Sequence, residues 1–204
     1  MKHLSKQLAV IWLLMPVLTF AQDDFWYQRD FPKEEFTQRR AKVLEEIGAE
    51  AVALLQGAPA APGSGVFRQN NEFFYLSGIE VPQAYLLLDG RSGKTAVYLR
   101  LPSRRRGSGQ TSDDYALSVK KATGVDAVYG IESLLSHLEN VSELYTLTGS
   151  RRPMRAPPGG KALVDRAEAM GLLSSDPLGE GRFVNLLQNY LPKLAIKNLS
   201  PIID

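Results

Sequence analysis

The chain has 204 residues, 44% of them hydrophobic, and its 24 basic and 22 acidic side chains give a formal net charge of +2. This near balance excludes a general electrostatic attraction to nucleic acid or to an anionic membrane. Cysteine is absent, which excludes a disulfide-rich scaffold and leaves stability to one ordinary hydrophobic core.

The first 21 residues have the pattern of an export signal. Lys2, His3 and Lys6 supply positive charge, residues 8–18 are largely apolar, and Ala21 ends a small-x-small cleavage pattern. Because a membrane anchor needs about 20 apolar residues, we predict cleavage after Ala21. The mature chain is then secreted or periplasmic, free of the membrane and formally uncharged. A retained leader on a membrane-tethered assembly subunit is the weaker alternative.

The first part of the mature chain alternates helical and extended patterns. Pro32, followed by two glutamates in the first turn, predicts a helix that Gly48 ends. Short apolar or β-prone runs then predict four strands, and a Gly-rich connection predicts a hairpin between the last two. The four strands are predicted at residues 51–55, 73–76, 84–88 and 95–99.

The second part continues the alternation. Residues 111–114 form a capping signal for a helix that Gly124 ends. Apolar side chains at helical spacing predict an amphipathic helix over residues 131–138. Two further strands are predicted at residues 127–129 and 144–147, and two further amphipathic helices at residues 161–173 and 183–191. The alternation favours a single α/β domain with helices on the faces of its sheet.

The residues offer little of what a metal hydrolase needs, which is several carboxylates or imidazoles that converge on an ion. The mature chain has one histidine, His137, on the back of a predicted amphipathic helix, where a solvated or partly packed role is the simpler interpretation. The acidic pair Asp113 and Asp114 is explained as negative charge at a helix N-terminus. We therefore predict no catalytic, cofactor-binding or metal-binding residue. A hard-cation site built from dispersed carboxylates is the alternative.

Two arginine clusters are the strongest electrostatic feature. If the fold brings them together, their guanidinium groups could hold a carboxylate or phosphate in bidentate fashion, which makes them candidate contacts for an anion or a partner. The alternative is two solvated loops. The clusters are Arg104, Arg105 and Arg106 in one and Arg151, Arg152 and Arg155 in the other.

The most specific pattern spans residues 67–88. It contains Phe67, Gln69, Phe73 or Phe74, Tyr75, Leu76, Ser77, Gly78, Pro82 and Ala84. This order resembles the F-x-Q-x-x-x-F-x-Y-L-T/S-G run, followed by a Pro-containing turn and a strand, in the N-terminal domain of Xaa-Pro aminopeptidases (aminopeptidase P), prolidases and creatinases. Four other segments also resemble the family, and all of them stand in the family's order along the chain. They are Arg39-Arg40 and residues 51–57, 123–134 and 199–203. Residues 103–109 depart from the family pattern, which puts any substrate-facing role of that loop in doubt.

The resemblance implies a mixed sheet of about six strands flanked by helices over residues 22–196. Residues 197–204 would begin a connector to a catalytic domain that these residues do not contain. In the family that domain carries two Asp, one His and two Glu that hold a pair of divalent ions, often manganese, and none of these ligands can be placed on this sequence.

We therefore expect a non-catalytic lobe, inactive by itself, that contributes to oligomer contacts and to closure of the substrate cleft. Its partner would be the catalytic domain of the same or a neighbouring subunit, and the protein could form a homo-oligomer. We expect no nucleic-acid partner. A stand-alone secreted module that binds a peptide or an anion is the alternative.

Overall fold

The computed structural model describes residues 30–60, 67–102, 111–148 and 180–203. In these ranges six strands form one mixed sheet of order β4-β3-β2-β1-β5-β6. Strand β2 pairs antiparallel with β1 and β3, whereas the pairs β1–β5, β5–β6 and β3–β4 are parallel. The strands are β1 (Val52–Gln56), β2 (Tyr85–Asp89), β3 (Lys94–Leu99), β4 (Ala127–Gly130), β5 (Glu143–Thr146) and β6 (Ala195–Asn198).

Helices lie on both faces of the sheet. They are α1 (Lys33–Ile47), α2 (Asn71–Ser77), α3 (Ser112–Thr123), α4 (Leu134–Leu138), α5 (Glu180–Tyr190) and α6 (Ser200–Ile203), with a 3₁₀ turn at Ile131–Ser133. In the described part of the chain, none of them is both long and apolar enough to cross a bilayer.

The core is divided into two apolar clusters by the sheet. Because successive side chains of a strand point to opposite faces, neighbours such as Leu54 and Leu55 lie in different clusters although both are fully buried. The Leu55 cluster includes residues of α1, α2 and α3, and the Leu54 cluster includes residues of α4 and α5. The predicted α/β domain with a mixed sheet and flanking helices is therefore confirmed.

Local signals predicted several boundaries correctly. Helix α1 ends before Gly48, and residues 90–93 connect β2 to β3 as a hairpin. The capping signal of α3 is a complete capping box, in which Thr111 and Asp114 each accept from the other's backbone N–H. Gly124 ends α3 in a left-handed conformation.

The predicted strand at residues 73–76 is wrong, because these residues belong to α2. The Asn70 side chain caps this helix by accepting from Glu72 N at 3.2 Å. Gly78 ends it with φ +67°, and its N–H donates to the carbonyl of Phe74. The three aromatic residues favour a strand by their β-propensity. The two caps and the burial of Phe73 favour a helix, and their combined stabilisation is the larger.

Strand β6 was not predicted from the sequence. It is a four-residue edge strand with mostly exposed side chains, and it contains Lys197. Only its parallel pairing with β5 defines it, and that partner lies about fifty residues earlier, with Glu143 opposite Ala195. The predicted helix over residues 161–173 and the predicted leader at residues 1–21 lie outside the described residues.

Candidate functional site

The predicted anion contacts Arg104, Arg105, Arg106, Arg151 and Arg152 lie outside the described residues. Asp113 and Asp114 stand in the first turn of α3, as predicted. In the described part of the chain, no group of three or more His, Asp or Glu side chains could hold a metal ion.

His137 is an exposed side chain on α4 that contacts two tyrosines. Its Nδ1 lies 2.6 Å from the Tyr98 hydroxyl, and its ring packs edge-on against Tyr129 at 4.8 Å. Burial raises the pKa of Tyr98 to about 12, so its hydroxyl is protonated at neutral pH; because a hydroxyl can donate or accept, the direction of this bond follows the tautomer of His137. His137 thus satisfies a buried hydroxyl and is itself exposed and partly packed, which fits the interpretation of a solvated or partly packed side chain.

Gln69 of the sequence pattern ties two loops together. Its Oε1 accepts from Ala58 N at 2.6 Å and from Asn70 N at 3.0 Å. Its Nε2 donates to the carbonyls of Ile79 at 3.2 Å and Val81 at 3.0 Å. One amide therefore fixes the exit of β1, the start of α2 and the approach to β2.

Arg40 is a buried arginine, 1% exposed, that joins three helices. Its Nη1 donates to the carbonyl of Leu76 at 3.0 Å, and its Nη2 donates to the carbonyl of Thr123 at 2.9 Å and to Thr37 Oγ1 at 3.2 Å. Burial lowers its pKa to about 10, partly offset by the charge of Asp126. Its Nε has no hydrogen-bond partner among the residues that the structure describes.

Arg39, the next residue, lies at the surface among aromatic rings. Its guanidinium carbon is 4.3 Å from the ring centre of Tyr75, 5.1 Å from that of Phe36 and 5.5 Å from that of Phe31. It also donates to the Tyr75 carbonyl at 2.9 Å and forms an ion pair with Glu35. We call Phe31, Phe36, Arg39 and Tyr75 the aromatic–arginine face.

This face is exposed yet ordered. Phe31 is 47% and Tyr75 43% exposed, and Tyr75 borders an open cleft of about 510 Å³ beside α1. Tyrosine and arginine are enriched at the energetic centres of protein interfaces, and contacts that hold Arg39 in place reduce the entropy it loses on binding. Chemically, the face can dock a protein surface.

Sequence reasoning singled out other arginines and missed this face. The available signal was Arg39 on α1, four residues after Glu35 and three after Phe36, which allows an ion pair and a ring contact on one side of a helix. The contribution of Tyr75, 36 positions further along, could not be derived from that spacing.

Taken together, the fold and site define a mixed α/β lobe whose described residues include an exposed aromatic–arginine face and no metal cluster. Comparison by sequence gives a more specific result: the profile of the aminopeptidase P N-terminal domain matches residues 36–147, more than half of the chain. The chain belongs to the aminopeptidase P N-terminal domain family, as its sequence pattern predicted. A search of curated proteins gave no significant match.

Solved structures share the fold. A putative aminopeptidase P from Bacillus anthracis has a TM-score of 0.57 at 20% identity over 85% of this chain and 39% of its own. An Escherichia coli aminopeptidase P with one aspartate replaced by alanine has a TM-score of 0.55 at 20% identity over 86% of this chain and 38% of its own. Proline aminopeptidase P II from Yersinia pestis has a TM-score of 0.53 at 18% identity over 85% of this chain and 38% of its own.

The present chain thus spans about two fifths of the length of these structures, at 38% to 39%. At such low identity the likeness establishes the shared fold.

Proposed function

We propose that this chain acts as the exported, non-catalytic N-terminal lobe of an Xaa-Pro aminopeptidase-like metallopeptidase. It docks on the catalytic domain of the same or a neighbouring subunit, contributes oligomer contacts and helps to close the substrate cleft. The observation that carries this proposal is the aromatic–arginine face, exposed and already ordered on a lobe of the aminopeptidase P family.

The geometry of the face supports docking. Phe36 is buried and supports Arg39 from below, while the exposed rings of Phe31 and Tyr75 flank the guanidinium. A partner that covers these rings removes apolar area from water and strengthens the cation–π contacts by desolvation. Glu35 already neutralises Arg39, so the covered arginine is not left as an unpaired charge.

The partner is inferred from the family and from chain length. The similar solved structures are more than twice as long as the part that this chain matches, which leaves room in them for a second domain. If the family pattern holds, that domain supplies the pair of divalent ions, and the lobe supplies shape and contacts.

A binding measurement tests the proposal. The catalytic domain of an Xaa-Pro aminopeptidase from the same organism is titrated with residues 22–204 by isothermal calorimetry. Tyr75→Ala and Arg39→Ala should each weaken binding about tenfold or more, because each removes a central contact. Tyr190→Ala is the matched control, since Tyr190 is 68% exposed on α5 and should leave affinity unchanged. No binding, or equal losses from all three variants, contradicts the docking role.

Activity and processing supply the remaining tests. The purified chain alone should release no N-terminal residue from an Xaa-Pro peptide, with or without manganese, and turnover would refute the non-catalytic role.

A mature N-terminus at Gln22, read by mass spectrometry, is the result expected for an exported protein. An in-frame downstream sequence with the Asp, Asp, His, Glu, Glu ligands would favour this proposal over a stand-alone binding module.

A further inference from the structure

We draw no further inference here: the strongest candidate, the cluster of Tyr98, Tyr129 and His137 beside the edge strand β4, carries nothing because the described residues place no group of three metal-ligating side chains there and nothing in the structure shows what covers its exposed rings.

Discussion

The two helical layers on the sheet are attached in different ways. On one face, α1, α2 and α3 are joined by Arg40, whose donors reach backbone carbonyls of α2 and α3, and the adjoining loops are joined by Gln69. On the other face, α4 and α5 pack through apolar side chains such as Leu138 and Leu187. The side-chain hydrogen bond between Tyr98 and His137 links that layer to the sheet.

This contrast shows which part of the fold is held by residues of the family's sequence pattern. Apolar contacts tolerate repacking when volume is preserved, whereas hydrogen bonds to backbone groups require particular directions and distances. The polar ties therefore fix the angle of α2 against α1, and with it the position of Tyr75 beside Arg39. The pattern orients the aromatic–arginine face, which lies in the polar-tied layer.

The largest expected effect comes from removing the tie at Arg40. Arg40→Ala should lower the free energy of unfolding by about 4 kcal/mol, because it leaves two buried carbonyls without a donor and opens a cavity. Arg39→Ala, one position away, should cost less than about 1 kcal/mol, since its ion pair and ring contacts are partly solvated. Urea unfolding of residues 22–204 measures both.

Arg40→Met separates packing from hydrogen bonding. Methionine refills most of the volume without supplying a donor, so stability should stay well below that of the unaltered chain. If Arg40→Met is as stable as the unaltered chain, the buried guanidinium is replaceable by an apolar group, and the proposed contrast between the layers fails.

Gln69 should have the next largest effect. Gln69→Ala removes the acceptor for two N–H groups and the donor for two carbonyls. We expect the free energy of unfolding to fall by about 3 kcal/mol, which is less than for Arg40→Ala because these groups are only partly buried. Gln38→Ala is the matched control, because Gln38 is exposed on α1 and should change stability by less than about 0.5 kcal/mol. Similar denaturation midpoints for the two variants would show that the amide does not hold the loops.

Gly78 tests how closely α2 lies against α1. It has φ +67°, and an added Cβ would lie 3.0 Å from the ring of Phe36. Gly78→Ala should cost about 2 kcal/mol, from backbone strain together with the ring contact. Gly93→Ala has nearly the same φ, +66°, with nothing within 4 Å, so its cost of about 1 kcal/mol isolates the backbone term. Equal decreases in melting temperature for Gly78→Ala and Gly93→Ala would mean that the Phe36 ring moves away from the added Cβ at no cost.

Much of the fold follows from local signals in the sequence. Helices α1 and α3 were predictable because their start signals, which are Pro32 with two glutamates in α1 and a capping box in α3, and their glycine stops act within a few positions. Strands β2 and β3 were predictable because a short Gly-rich connection joins them. For α2 the local evidence conflicted: its aromatic residues favour a strand, while Asn70 and Gly78 favour a short helix, and tertiary burial decided between them.

The candidate site was less accessible from the sequence. Arg39 and Arg40 are identical residues in adjacent positions; helical spacing places Arg40 on the face of Phe36, Val43 and Ile47, which is the buried one, but spacing does not show what each guanidinium contacts. Their roles are set by the carbonyls of Tyr75 and Leu76, each 36 positions away, which α2 brings to them. Such contacts depend on the packing of two helices and leave no periodic pattern.

The smallest predicted effect concerns the Tyr98 hydroxyl, which forms a hydrogen bond with His137 in the apolar layer. Tyr98→Phe should cost about 1 kcal/mol at neutral pH, the usual contribution of one hydrogen bond. Burial raises the pKa of Tyr98 to about 12, above the value of about 10 for an unfolded tyrosine. Folding therefore favours the protonated hydroxyl. The contribution of Tyr98 to the free energy of unfolding is complete below about pH 10 and is lost as the pH rises from about 10 to about 12.

Thermal unfolding from pH 8 to pH 11.5 measures this loss. Burial also raises the pKa of Tyr85 in the same apolar layer, so Tyr98→Phe should reduce the alkaline loss of stability without abolishing it. Tyr190→Phe, at an exposed position on α5, should leave the profile unchanged. If Tyr98→Phe and Tyr190→Phe have the same alkaline profile, the Tyr98 hydroxyl titrates as a solvated group. The hydrogen bond between Tyr98 and His137 would then contribute little to holding the apolar layer, which would widen the contrast with the layer that Arg40 holds.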